Sequence, residues 1–148
     1  MDKYSIVKKI EDFAPPELAE SWDCSGWAVN VKSKDEVFKV MVCLTVTDDI
    51  VNQARTQNCD MIISHHPLFF VPLNWRDINI YSAHTNLDKT GGGTTDTLIS
   101  TLGLKITDAS DFLRYSDTNI SIEEFLKLLS KVSPNLRYVN NKNISYIK

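Results

Sequence analysis

A strand, a helix and a second strand follow one another within about thirty residues, and this pattern restricts the fold more than any other feature of the sequence. Residues 37–46 are rich in β-branched and apolar side chains, which predicts a buried strand. Thr47 then supplies a cap and Asp48 an acidic first turn for a helix through about Gln57, and residues 60–64 predict the next strand. Such a unit implies parallel pairing with a right-handed crossover, so both strands end at one edge of a sheet.

The remaining sequence predicts further elements of ordinary length. Amphipathic helices are predicted over about residues 6–13, over residues 95–102, and from the capping box at Ser121 onward. Strands are predicted over residues 78–83 and, around an Asn-rich turn, over residues 136–139 and 144–147. Residues 17–27 predict a packed loop, because Asp, Ser and Gly favour a turn there. Alternating strands and helices indicate an α/β fold.

Composition narrows the class of protein. The 148 residues, 43% hydrophobic and 24% charged, fit one folded domain, since a chain of this length buries roughly 70% of its unfolded surface. With a net charge of −3 and no basic run, nucleic acid is a poor candidate partner. The three cysteines have no CxxC spacing, which predicts reduced thiols. No signal peptide or membrane span is apparent, so we expect a cytoplasmic protein.

All three histidines follow predicted strands. His65 and His66 come directly after an apolar run and precede Pro67, and His84 opens the segment that ends at Asp88. In open α/β sheets, ligands bind beyond the carboxyl ends of parallel strands. Adjacent strand residues point to opposite faces, so His65 and His66 can share a site only where the strand ends. Pro67 favours this arrangement by holding the residue before it extended.

Imidazole and carboxylate groups in this pattern predict a metal site. Neutral imidazole suits zinc, iron, nickel or copper, and Asp88 could bridge two ions or complete one. Two ions about 3.5–4 Å apart would polarise a substrate oxygen and activate water, which is hydrolytic chemistry. The alternative is that His65 and His66 only bond buried backbone at a strand end. The presence of His84 and Asp88 in the second segment favours the metal site.

Other candidate groups carry weaker signals. Asp23, Asp48, Asp49 and Asp96 could each lend a carboxylate, but caps and turns use Asp so often that we assign them structural roles. The glycines at 91–93 lack the GxGxxG order and the lysine of a P-loop, so they predict a turn and not a phosphate cradle.

At these motifs the chain closely resembles the Nif-three-like family, whose members are often labelled GTP cyclohydrolase I type 2 homologs. The resemblance covers most of the first hundred residues and is carried above all by Trp22-Asp23, His65-His66-Pro67 and His84-Thr85-Asn86-Leu87-Asp88. It implies a Nif-three-like α/β domain with a mixed, partly parallel sheet flanked by helices. It also implies that His65, His66 and Asp88 are ligands of a dinuclear metal site, with His84 nearby as a weaker candidate.

The resemblance further implies a divalent metal cofactor (zinc, iron, manganese or nickel), a cytoplasmic homo-oligomer, and hydrolysis of a nucleotide or phosphoester. Three departures from the family pattern stand out. The segment between His66 and His84 is shorter, and Thr45 and Cys24 stand where the family usually has Asp and Asn. The family's second half, which supplies a further His and Glu, is expected to be absent, so residues 1–148 are expected to be the single N-terminal domain of a short or truncated member.

A count of ligands leaves three interpretations open. Two ions need about eight bonds, whereas three histidines and one bridging carboxylate supply at most about five. We therefore expect weak binding of one or two ions if the chain is a hydrolase. The second interpretation is a degenerate assembly or regulatory module that keeps the fold without catalysis. The third is completion of the site by a separately encoded C-terminal half.

Overall fold

The structure is a computed structural model that describes residues 1–139, 143 and 145–147. Within it the chain divides into two compact units, Met1–Thr90 and Gly91–Lys148. The first unit contains every histidine of the chain. The expectation that residues 1–148 make up a single domain stays a prediction.

Four short strands form a mixed sheet in the first unit: β1 (Gly26–Val29), β2 (Val40–Cys43), β3 (Met61–Ser64) and β4 (Asn79–Ser82). Their order is β1-β4-β3-β2. The last three strands are parallel to one another, and β1 pairs antiparallel with β4. The predicted α/β fold with a mixed, partly parallel sheet is confirmed.

Three helices accompany this sheet: α1 (Lys3–Phe13), α2 (Asp48–Thr56) and α3 (Thr85–Lys89). The carboxylate of Asp2 caps α1, and the hydroxyl of Thr47 caps α2 by accepting the Ile50 backbone N–H at 3.3 Å. Because α2 connects the parallel strands β2 and β3, the predicted strand-helix-strand unit is confirmed.

Apolar clusters cover both faces of the sheet. On one face Val51 of α2 packs in a cluster with Ile62 and Ile80. On the other face Val7 of α1 packs with Met61 and other strand residues. Neighbouring residues of a strand point to opposite faces, so Met61 and Ile62 of β3 enter different clusters. Burial on both faces explains why β3 is a continuous apolar run.

The structure corrects two expectations about local elements in this unit. Residues 17–27 are predicted as a loop, yet β1 begins at Gly26, because Gly26 and Trp27 pair with Ser82 and Tyr81 of β4, a distant contact that the local turn residues do not show. The strand predicted over residues 37–46 covers only Val40–Cys43. In addition, the short helix α3 follows β4 almost directly, where no helix is expected.

The second unit contains α4 (Thr94–Thr101), the hairpin of β5 (Asp108–Ser110) and β6 (Leu113–Tyr115), then β7 (Ile120–Ser121), α5 (Ile122–Val132) and β8 (Tyr146–Ile147). Ser121 caps α5 as predicted, because its hydroxyl accepts the Glu124 backbone N–H at 3.1 Å. The predicted strand at residues 136–139 is wrong, and β8 pairs with β7 instead. The Asn-rich turn at 140–142 lies outside the described residues. No described helix of either unit has both the length and the apolar character needed to cross a membrane.

Lys3 is a lysine with no exposed side-chain surface. Its Nζ donates a hydrogen bond to the Val31 carbonyl oxygen at 2.7 Å and pairs with the Asp35 carboxylate at 2.8 Å. The ammonium also lies 5.1 Å from the Tyr4 ring centroid and 5.8 Å from that of Trp27, within the range of a cation–π interaction. Lys3 thereby ties the start of α1 to the segment that precedes β2.

We expect the substitution Lys3→Met to lower the free energy of unfolding by about 1–3 kcal/mol. It keeps the buried stem but removes both the ion pair with Asp35 and the shorter of the two hydrogen bonds to the Val31 carbonyl, which keeps only the Lys34 backbone N–H at 3.1 Å. Urea denaturation followed by circular dichroism measures this change. Lys8→Met is the matched control, since Lys8 is 73% exposed and pairs with Asp12 on the helix surface. Its effect should stay within about 0.5 kcal/mol. Equal losses in the two variants would show that burial of Lys3 has no special energetic role.

Candidate metal centre

The candidate site lies beyond the carboxyl ends of two neighbouring strands. β3 ends directly before His65, and β4 ends two residues before His84. These strands are parallel, with Ser64 opposite Ser82, so both segments leave the sheet at the same edge. Asp88 lies on α3, one turn beyond His84, and its backbone N–H donates to the His84 carbonyl at 3.0 Å.

His65, His84 and Asp88 form a compact group. Each offers one ligand atom, and the three atoms all lie within 4.8 Å of one another. Nε2 of His65 is 3.5 Å from Oδ1 of Asp88, and the two imidazole centroids are 5.0 Å apart. All three side chains are partly exposed, which leaves an ion access to them. Two imidazoles and a carboxylate are a donor set that zinc and related divalent ions accept, so this group could hold a metal ion.

The imidazole of His65 is held by the backbone. Its Nδ1 lies 3.1 Å from the carbonyl oxygen of Ala83. A carbonyl oxygen only accepts, so this contact requires the proton on Nδ1 and leaves the lone pair on Nε2. That Nε2 is the atom facing Asp88. The neutral ring of His65 therefore directs its lone-pair nitrogen toward Asp88, as metal coordination needs.

The imidazole of His84 is held by Asp23. Its Nδ1 lies 3.1 Å from Oδ1 of Asp23, a carboxylate with no exposed surface. The other carboxylate oxygen accepts the Thr85 backbone N–H at 3.1 Å, the Thr85 hydroxyl, and the Ser25 hydroxyl at 2.7 Å. Burial raises the pKa of Asp23, but hydrogen bonds from Thr85, Ser25 and His84 together outweigh it and hold the pKa well below its usual range. Asp23 is thus ionised at neutral pH.

His66 lies beside the group but makes a different contact. Its Nδ1 is 2.7 Å from the Thr45 hydroxyl oxygen. Its ring centroid is 5.3 Å from that of His65 and 5.9 Å from that of His84. The resemblance implies His66 as a ligand ahead of His84, whereas the geometry brings His84 within 4.8 Å of the other two donors. The ligand assignment of each histidine stays a prediction.

Two further residues shape the site, and sequence reasoning assigned neither of them to it. Asp23 is predicted as a turn residue. Asn86 is buried, and its side chain accepts the His84 backbone N–H at 2.9 Å while donating to the Ala14 carbonyl at 2.8 Å. A signal for both exists in the sequence, because each lies within a motif that carries the family resemblance.

The other candidate aspartates have structural partners. Asp48 accepts a hydrogen bond from the indole N–H of Trp75 at 2.9 Å, and Asp49 lies in the first turn of α2. Asp96 accepts the backbone N–H of Gly92 at 2.9 Å. Asp49 and Asp96 thus have the local helix and turn roles expected for them, whereas the bond of Asp48 to Trp75 joins segments distant in sequence.

The fold is an α/β sheet, and a His-His-Asp group lies beyond the carboxyl ends of its parallel strands. Together they indicate an α/β protein with a candidate metal site. The family model described as Duf34/NIF3 (NGG1p interacting factor 3) matches residues 1–147, and the chain belongs to this Nif-three-like family. A GTP cyclohydrolase 1 type 2 homolog of Clostridium perfringens is 35% identical over 114 residues, which cover 66% of this chain and 43% of that protein. The chain spans about two fifths of the length of the curated relatives it matches.

Solved structures show the same fold. Reduced HcgD from Methanocaldococcus jannaschii superposes with a TM-score of 0.77 at 30% identity, covering 88% of this chain and 60% of that one. TTHA1606 from Thermus thermophilus gives a TM-score of 0.81 at 20% identity, covering 99% of this chain and 67% of that one. The second likeness concerns the fold alone, and both confirm the predicted architecture.

Proposed function

We propose that this chain binds a divalent metal ion through His65, His84 and Asp88 and acts as a metal-dependent hydrolase of a nucleotide or phosphoester. The observation that carries the proposal is the placement of three ligand atoms within 4.8 Å of one another. The relatives called GTP cyclohydrolase 1 type 2 homologs support hydrolytic chemistry. Three protein donors and a water make a four-coordinate site, which fits zinc, and further waters would complete the larger coordination shells of iron, manganese or nickel. A second ion would use His66 and further donors.

A bound ion would supply Lewis acidity and activate water for hydrolysis. The chain's own residues orient the donors and shape the space beside them. A cavity of about 380 Å³, lined mainly by apolar side chains that include Ile10, Phe13 and Val42, lies against His65. It offers room for the organic part of a small substrate.

The second candidate function is an assembly or regulatory module without catalysis. β2 lies at an edge of the sheet, and Phe38, Val42 and Leu44, in and beside it, are exposed. An apolar, uncovered strand edge favours association with another chain, either a second copy or a separately encoded half. A cytoplasmic location also remains our proposal, and the three free cysteines support it because reducing compartments keep thiols unpaired.

The proposal predicts that protein purified without chelators binds about one ion per chain. We expect calorimetric titration with zinc, manganese, iron or nickel to show this ion, and hydrolysis of GTP or p-nitrophenyl phosphate to disappear with EDTA and return with metal. Failure to bind any of these ions would overturn the metal site. Binding without turnover, in a protein that light scattering shows to be oligomeric, would reject the hydrolase and favour the assembly module.

A further inference from the structure

We propose that Asp23 is a positioning residue of the metal centre, which holds the His84 ring so that Nε2 faces the ion. The inference rests on the proposed function, because it needs a metal bound through His84. It adds a role for the Trp22-Asp23 segment, which lies far from the histidines in the sequence.

The contacts of Asp23 are those expected of an orienting group. One carboxylate oxygen faces Nδ1 of His84 at 3.1 Å, and the side chain has no exposed surface. The other oxygen is held by the backbone and hydroxyl of Thr85 and by the hydroxyl of Ser25. With that oxygen held by three donors, the carboxylate cannot turn away from His84 without losing several hydrogen bonds. The ring of His84 thus has a fixed partner behind it.

This arrangement matches a known way of tuning a metal ligand. A carboxylate that accepts the second ring N–H of a ligating histidine fixes its tautomer and ring orientation and makes the coordinating nitrogen more basic. His65 has a neutral carbonyl in the corresponding position, at 3.1 Å from its Nδ1. Of the two imidazoles in the group, His84 is therefore the one with a charged orienting partner, and we expect it to be the stronger donor.

The first test is zinc titration of the Asp23→Asn variant. Its amide has one accepting oxygen where the carboxylate has two, so it cannot accept from both His84 and the Thr85 and Ser25 donors. We expect zinc affinity to fall about 10- to 100-fold, the usual cost of losing an outer partner of a metal ligand. Asp12→Asn is the control for lost charge, because Asp12 is an exposed residue of α1. Thr85→Val is the control for loosening of the loop, since it removes the hydroxyl that donates to the same carboxylate and accepts the Glu20 backbone N–H, but it leaves Asp23 in contact with His84. Equal losses in Thr85→Val and Asp23→Asn would overturn the positioning role.

The second test uses nitrogen-15 NMR of the metal-free wild-type protein and does not depend on folding of any variant. We expect His84 to carry its proton on Nδ1, and this preference to weaken in Asp23→Asn but not in Asp12→Asn. A wild-type His84 protonated on Nε2 would overturn the inference even if zinc binds. If the wild type binds no zinc while His84 keeps the expected tautomer, the proposed function fails, and the inference fails with it.

Discussion

Replacing both His65 and Asp88 by alanine is expected to abolish metal binding. The double variant keeps only one of the three donors that lie within 4.8 Å of one another. One imidazole cannot hold a divalent ion against water, because each lost donor is replaced by a solvent molecule that contributes no chelation. Loss of a residue that only orients a metal ligand lowers affinity by up to roughly 100-fold, so loss of two ligands should lower the zinc affinity by well over 100-fold.

Two measurements check this result. Calorimetric titration gives the affinity directly, and thermal unfolding with and without zinc shows whether the ion stabilises the folded state. At a zinc concentration 100 times the dissociation constant, the wild type should gain about 2.7 kcal/mol, and the double variant should gain nothing. Both proteins should unfold at similar temperatures without metal, because the three side chains are partly exposed.

Single substitutions separate the roles of the histidines. His84→Ala should weaken zinc binding strongly, whereas His66→Ala should weaken it less, because the nearest polar contact of His66 is the Thr45 hydroxyl. Asp12→Ala serves as the carboxylate control and should bind zinc like the wild type. Wild-type affinity in the His65 and Asp88 double variant would rule out these residues as ligands.

The substitution Ile62→Ala should have the largest effect on stability. Ile62 has no exposed surface, lies on the inner strand β3, and packs in the cluster that contains Val51 and Ile80. Removing its outer carbons loses buried apolar contact and leaves a cavity that the close-packed sheet cannot fill. We expect the free energy of unfolding to fall by about 2–5 kcal/mol.

Urea denaturation with Val42→Ala as the matched control tests this expectation. Val42 is an apolar residue of the neighbouring strand β2, opposite Ile63 in register, but it is 76% exposed. Its truncation should change stability by no more than about 0.5 kcal/mol. Ile62→Val should give an intermediate loss of about 0.5–1.5 kcal/mol. If Ile62→Ala lowered the free energy of unfolding by less than Val42→Ala does, the prediction would be wrong and the core would tolerate a cavity at β3.

The elements that the sequence predicts correctly are those whose signals are local. The run Met61–Ser64, the Thr47 cap and the Ser121 cap each depend on neighbouring residues, and each element lies where expected. Side-chain spacing and hydrogen bonds to nearby backbone groups determine these elements, so a short stretch of sequence is enough to predict them. The parallel order of β2 and β3 follows from the intervening helix.

The elements that sequence reasoning missed depend on distant partners. β1 exists because Gly26 and Trp27 pair with Ser82 and Tyr81 of β4. β8 lies within the strand predicted over residues 144–147, but it pairs with β7, which is not predicted, and not with residues 136–139. Strand pairing draws on backbone groups that every residue carries, so local composition does not show which segments will meet.

By itself, the sequence determined the family, the α/β architecture and the gathering of histidines at strand ends, because these depend on motifs and on local periodicity. Only the tertiary structure decided which donors meet. It brought donor atoms of His65, His84 and Asp88 within 4.8 Å of one another, and it placed Asp23 against His84, which lies 61 residues later in the sequence. The physical reason is that ring orientation is set by hydrogen bonds between segments brought together by the sheet, and such contacts leave no periodic pattern in the chain.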